Sequence, residues 1–197
     1  MKLKTLTASI LFLVIMEPTF SQYPTIRDTT LQMMTYGFGD PNPVADMNRI
    51  YPYFRFDSYT DKGVLRDWKM VILENEYIKI YVCPEVGGKV WGAIEKSTGK
   101  EFLYFNDVVK FRDVATRGAW TSGGLEYNFG VIGHSPNGAT PVDYTLMTNA
   151  DGSVSCWVGA IDLSSRTKWA VEIRLEKEKA YFETRAVWMN LNPMPVS

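Results

Sequence analysis

The sequence predicts an all-β fold, an antiparallel β-sandwich, on three observations. Apolar and polar residues alternate with a period of two in one segment after another, as strands with one buried face require. Turn-forming runs such as "GG", "STG" and "ADG" fall between those segments. No segment carries the apolar 3.6 period of a helix that packs one face on a core.

The first clear strand signal is "KMVILEN". It leads into "EYIKIYVCPEVGG", where Ile78, Ile80 and Val82 alternate with Tyr77, Lys79 and Tyr81. Gly87 and Gly88 reverse the chain into "KVWGAIEK", and "STGK" turns it again into "EFLYFND". Further on come "DYTLMTN", the turn "ADG", "SVSCWVGAIDL", the turn "SSRT", "KWAVEIRLE" and "AYFETRAVWMN". Trp169, Val171, Ile173 and Leu175 make one face of the penultimate segment, and Lys168, Glu172 and Arg174 the other. Short turns between such segments favour antiparallel meanders. "NADGS" lacks the later ligands of a calcium loop and reads as a hairpin turn. Two stretches stand apart. Residues 22–66, with "YPTIRDTT" and many Pro, Asp and Asn breakers, read as an irregular N-terminal arm ahead of a domain at 67–197. Residues from about Asp107 to Pro141 read as one irregular excursion, of a length that is uncommon in compact domains and often functional.

The N-terminus has the pattern of a secretory signal peptide over residues 1–21. Lys2 and Lys4 precede an uncharged, mostly apolar run from Leu6 to Met16, and "EPTFSQ" offers Thr19 and Ser21 at a cleavage site. Export to the periplasm or beyond is therefore expected. The run is shorter than the roughly 20 residues of a membrane span, so no stable span is expected after cleavage. The residue after the cleavage site is Gln22, not a cysteine that would carry a lipid. Losing two lysines and one glutamate with the leader changes the formal charge from −1 to −2, which gives no electrostatic case for nucleic acid. Cys83 and Cys156 either pair or stay as buried thiols. No metal and no cofactor are expected, because the chain has no Cys/His set with metal spacing, no phosphate-cradling glycine motif and no Gly-x-Ser-x-Gly elbow.

The candidate chemistry lies inside the excursion, in "WTSGGLEYNFGVIGHSPNGATPVDY" from Trp120 to Tyr144, which holds the single histidine. Glu126 follows Gly123 and Gly124, which let the backbone approach a ligand closely, and an extended segment would point Leu125 and Tyr127 away from it. A carboxylate there suits acid or base work on a sugar; the alternative is a glutamate satisfied by loop amides. His134, with an ordinary pKa of about 6.5, suits sharing that proton, or is a structural loop residue. Asp143 reads either as the second carboxylate of a glycosidase pair or as a turn anchor beside Pro141. Aromatic residues make up 14% of the chain. Among them Trp91, Trp120 and Tyr127 offer faces for sugar stacking, with core packing the better reading for Trp91, which lies in a strand. Arg117 and Asn128 suit sugar hydroxyls or a uronate carboxylate.

"ENEYIKIYVCPEVGGKVWGAIEKSTGKEFLYFN" resembles the start of galactose-mutarotase-like supersandwich domains. "SGGLEYNFGVIGHSPNGATPVDY", with "GSVSCWVGAIDLSSRTKWAVEIRLEKEKAYFETRAVWMNLNP", resembles the bacterial family called domain of unknown function 5107, over roughly Trp68 to Pro195. The resemblance implies a partial supersandwich. Relatives are much longer, often carry tetratricopeptide repeats and occur beside polysaccharide-degradation systems. The chain is thus expected to be an N-terminal part of such a protein, with an open sheet edge on its C-terminal side. Aldose epimerases use two histidines and a late glutamate, so the single histidine here gives no ground for mutarotase chemistry. Three functional expectations follow: an exported glycoside hydrolase-like enzyme with a carbohydrate ligand, a non-catalytic glycan-binding module, or an inactive fragment.

Overall fold

The computed structural model describes residues 23–37, 60–113, 119–128, 137–162 and 166–195. Among them are eleven strands and no helix. One sheet holds β1 (Thr25–Tyr36), β2 (Val64–Glu74), β3 (Ile78–Cys83), β4 (Lys89–Glu95), β5 (Lys100–Leu103), β6 (Val108–Asp113) and β7 (Ala119–Thr121), in the order β5-β4-β3-β2-β1-β6-β7. The other is a meander of β8 (Asp143–Thr148), β9 (Val154–Asp162), β10 (Thr167–Leu175) and β11 (Glu183–Asn190), in the order β11-β10-β9-β8. All ladders are antiparallel except β1 with β6, which pairs Tyr36 with Lys110. The all-β sandwich expected from the alternation is the fold.

The large sheet cannot be flat. Thr121 ends β7, and Leu125, four residues on, pairs with Val90 of β4 through N–H···O bonds of 3.1 and 2.8 Å. β4 and β7 are five strands apart in the sheet order. A flat sheet would separate them by roughly 24 Å at about 4.8 Å per strand, whereas four residues span at most roughly 14 Å. The sheet is therefore curled, and two cores follow. On the convex face Val71, Leu73, Ile80, Val82 and Val90 meet Cys156, Val158, Trp169, Val171 and Ile173 of the small sheet. Inside the curl, Met33, Trp68, Met70, Cys83, Trp91, Val109 and Phe111 pack on one another. Central strands β2 and β3 thus bury both faces, which explains why "MVIL" is continuously apolar.

Two sequence expectations need correcting. The arm at 22–66 contains β1, a 12-residue strand paired with β2 from Thr25↔Glu74 to Thr35↔Val64. The stretch from Asp107 to Pro141 contains β6 and β7. Cys83 lies inside the curl and Cys156 in the inter-sheet core, so they face opposite sides of the large sheet and stay free; burial pushes each thiol up to about 12. "NADGS" is the β8–β9 hairpin turn: Asn149 N–H donates to the Ser153 carbonyl at 2.8 Å, and Asp151 accepts from the Ser153 amide and hydroxyl.

Candidate functional site

The residues from Trp120 to Glu126 are held by the closure of the curl. Gly123 and Gly124 both adopt positive φ, +85° and +64°. A Cβ on Gly124 would run into the Val90 carbonyl oxygen. Gly124 therefore brings the backbone against β4, and Gly123 against Tyr104 and Asn106, rather than against a ligand. Asn106 braces the turn: its side-chain amide donates to Ser122 Oγ at 2.8 Å, and its carbonyl accepts from Trp91 Nε1 at 3.0 Å.

Beyond the Leu125 bridge, alternation sets direction as expected. Leu125 and Tyr127 pack on the inter-sheet core, and Glu126 takes the other side. There it acts on Lys89, which is only 3% exposed. Lys89 Nζ donates to the Thr121 carbonyl at 3.0 Å and to Thr121 Oγ1 at 3.2 Å, and lies 5.7 Å from the Trp91 ring centroid. Burial pulls the amine down to about 8, and the Glu126 carboxylate is the main charge opposing that fall. Inside the curl, then, a half-buried carboxylate faces a buried lysine among aromatic rings.

Trp120 lies on the opposite side of the same strand. Thr121 points into the curl, so its neighbour Trp120 points outward. Arg112 pairs with Trp120 in the β6–β7 ladder, and Lys110 pairs with Tyr36 in the β1–β6 ladder. These four side chains share the convex face, and none of them is among the residues that pack in the inter-sheet core. They line a groove of about 520 Å³ together with Thr60, Phe111 and Ser122. That size falls among small-ligand sites. Lys110 Nζ sits 5.2 Å above the Tyr36 ring.

The remaining sequence candidates scatter. Asp143 is exposed at the start of β8, and its neighbours Val142 and Tyr144 pack on the inter-sheet core. It therefore faces out from the small sheet, with two sheets between it and Glu126. Sheets pack about 10 Å apart, while a retaining or inverting pair needs about 5–9.5 Å. The expected Glu126–Asp143 glycosidase pair is not formed. Trp91 is 1% exposed and is a core residue rather than a stacking platform. Tyr127 likewise packs on the core, and its buried hydroxyl has no hydrogen-bond partner among the described residues. Burial pushes that phenol up. Asn128 is exposed at the end of a described segment. His134 and Arg117 lie outside the described residues. Sequence reasoning passed over Lys89, Lys110, Arg112 and Tyr36. The available signals were a lysine in phase with Trp91, and "VKFR", where two cations alternate with Val109 and Phe111.

Comparison with known proteins supplies the family. The crystal structure of a TPR-domain containing protein from Parabacteroides distasonis ATCC 8503 matches with a TM-score of 0.73 and 26% identity. The match covers 85% of this chain but 29% of that one, so the present chain spans less than a third of its structural relative. The family model described as "Domain of unknown function (DUF5107)" matches residues 45–197, most of the chain. The protein belongs to the DUF5107 family.

Proposed function

We propose that this protein is an exported, carbohydrate-binding part of a longer carbohydrate-active protein, and that it takes a glycan in the Tyr36–Trp120 groove. The observation that carries this reading is the groove itself: Tyr36, Phe111 and Trp120, with Ser122, Thr60 and two cations around them. Aromatic faces match the C–H side of a pyranose, and the polar groups match its hydroxyls. Calorimetric titration with an oligosaccharide panel tests it. Saturable binding that Trp120→Ala removes supports the reading, and binding indifferent to that change contradicts it. Export rests on the Lys2–Met16 pattern and the "EPTFSQ" segment. N-terminal sequencing of protein recovered from the periplasm is expected to begin at Gln22.

A second reading is favoured by a separate observation, the buried Lys89 amine inside the curl, hydrogen-bonded to Thr121 and within the field of the Glu126 carboxylate. A carboxylate whose charge acts on a buried cation suits acid/base or nucleophilic work on a sugar. Asp143 takes no part in it. Glu126→Gln decides between the readings: an enzyme loses turnover while retaining its ligand, whereas a binder working from the outer groove is unchanged in both respects.

A further inference from the structure

The groove carries charge as well as aromatic surface, and its charge is one-sided. Among the described lining residues Lys110 and Arg112 are exposed cations and none is acidic. Several other described cations do have acidic partners. Glu74 alone lies within 4.0 Å of Arg27, Lys79 and Lys96, while Arg66 meets Glu85 and Arg174 meets Asp151 and Glu176. Neither Lys110 nor Arg112 has an acidic partner among the described residues. Both point to one face of β6, two residues apart, so their stems are about 7 Å apart. Each sits beside an aromatic residue on a neighbouring strand, Lys110 beside Tyr36 and Arg112 opposite Trp120.

We infer that this groove selects acidic saccharides, with uronate carboxylates read by Arg112 and Lys110 while the sugar ring stacks on Trp120. The guanidinium fork matches a carboxylate with two parallel N–H···O bonds, and the lysine adds a second, less directional positive charge. A neutral glycan would leave both cations without a counter-charge, whereas a uronate supplies one along with the apolar ring face. The inference rests on the glycan-binding reading and adds the ligand class to it.

The test pairs each ligand with its own neutral form. The full chain is titrated with short oligouronates of the galacturonate, glucuronate and mannuronate types, and with the methyl esters of the same oligomers. The expected result is that at least one free acid binds about tenfold or more tightly than its ester, that added salt weakens the acid only, and that a Lys110→Gln/Arg112→Gln double variant removes the difference. The two exposed substitutions are expected to leave the melting temperature in place, which separates lost recognition from lost folding. Equal binding of acid and ester, or a double variant that still prefers the acid, overturns the inference and leaves glycan binding standing. Failure of every acid and ester, and of neutral oligosaccharides, overturns both.

Discussion

The two sides of β7 were built from adjacent residues and do opposite things. Thr121 turns into the curl, where it is 1% exposed and holds the ammonium of Lys89. Trp120 turns out, apart from the residues of the inter-sheet core, and joins Tyr36, Lys110 and Arg112. Inside, a charge is buried and feels the Glu126 carboxylate; outside, charges are exposed and have no acidic partner among the described residues. The lesson is that nearness in sequence does not make a site in a β protein. Strand alternation sends neighbours to opposite faces, and closure of a sheet brings distant residues such as Lys89 and Thr121 together.

Four changes test this division, from the largest expected effect to the smallest. Gly124→Ala places a Cβ against the Val90 carbonyl at a positive φ, and is expected to cost about 2–4 kcal/mol and break the closure. Thermal or urea unfolding measures it; a variant as stable as wild type would mean that the curl does not depend on the Leu125 bridge.

Lys89→Met addresses the inner side through pH. The Lys89 amine holds its proton up to about pH 8 when folded and up to about 10.5 when unfolded, so unfolding takes up a proton between those values. Stability should therefore rise with pH across that window, by an amount on the order of 3 kcal/mol. Urea unfolding at a series of pH values is expected to show that rise in wild type and its loss in the methionine variant.

Trp120→Ala probes the outer side. Binding in the groove should disappear, while the alkaline rise due to Lys89 remains and stability changes by less than about 1 kcal/mol. Loss of the alkaline rise as well would merge the two sides into one site. The smallest effect is that of Asp143→Asn, which sits on the outer face of the small sheet. It should change stability by no more than about 0.5 kcal/mol and leave sugar binding intact; a large loss of binding would return Asp143 to the site.

How much of this is legible in the sequence differs between core and site for physical reasons. β10 could be read directly because Trp169, Val171, Ile173 and Leu175 alternate without a break and all are buried. β1 could not. Its run is rich in threonine, and Asp28 reads as a breaker, yet Asp28 is satisfied by the Tyr144 hydroxyl at 3.0 Å from the other sheet. In the site, the opposite directions of Glu126 and its neighbours Leu125 and Tyr127 follow from alternation alone. The identity of its partner does not, because Lys89 reaches it only through a closure that the spacing of residues along the chain does not announce. The glycines before Glu126 illustrate the same point: their need for positive φ was readable, but what they approach is the chain's own backbone, Gly124 at β4 and Gly123 at Tyr104. β7, with three residues, is too short to show a period of two, so the split between Trp120 and Thr121 had no sequence signal.

The most direct test follows the Lys89 amine itself, by carbon NMR titration of its side chain in wild type, Glu126→Gln and Trp120→Ala. Two separate sites require a midpoint near 8 in wild type, a lower one in Glu126→Gln because the opposing charge is gone, and no change in Trp120→Ala. A Trp120→Ala midpoint that moves as far as that of Glu126→Gln, or a Glu126→Gln midpoint that does not move at all, would contradict the account.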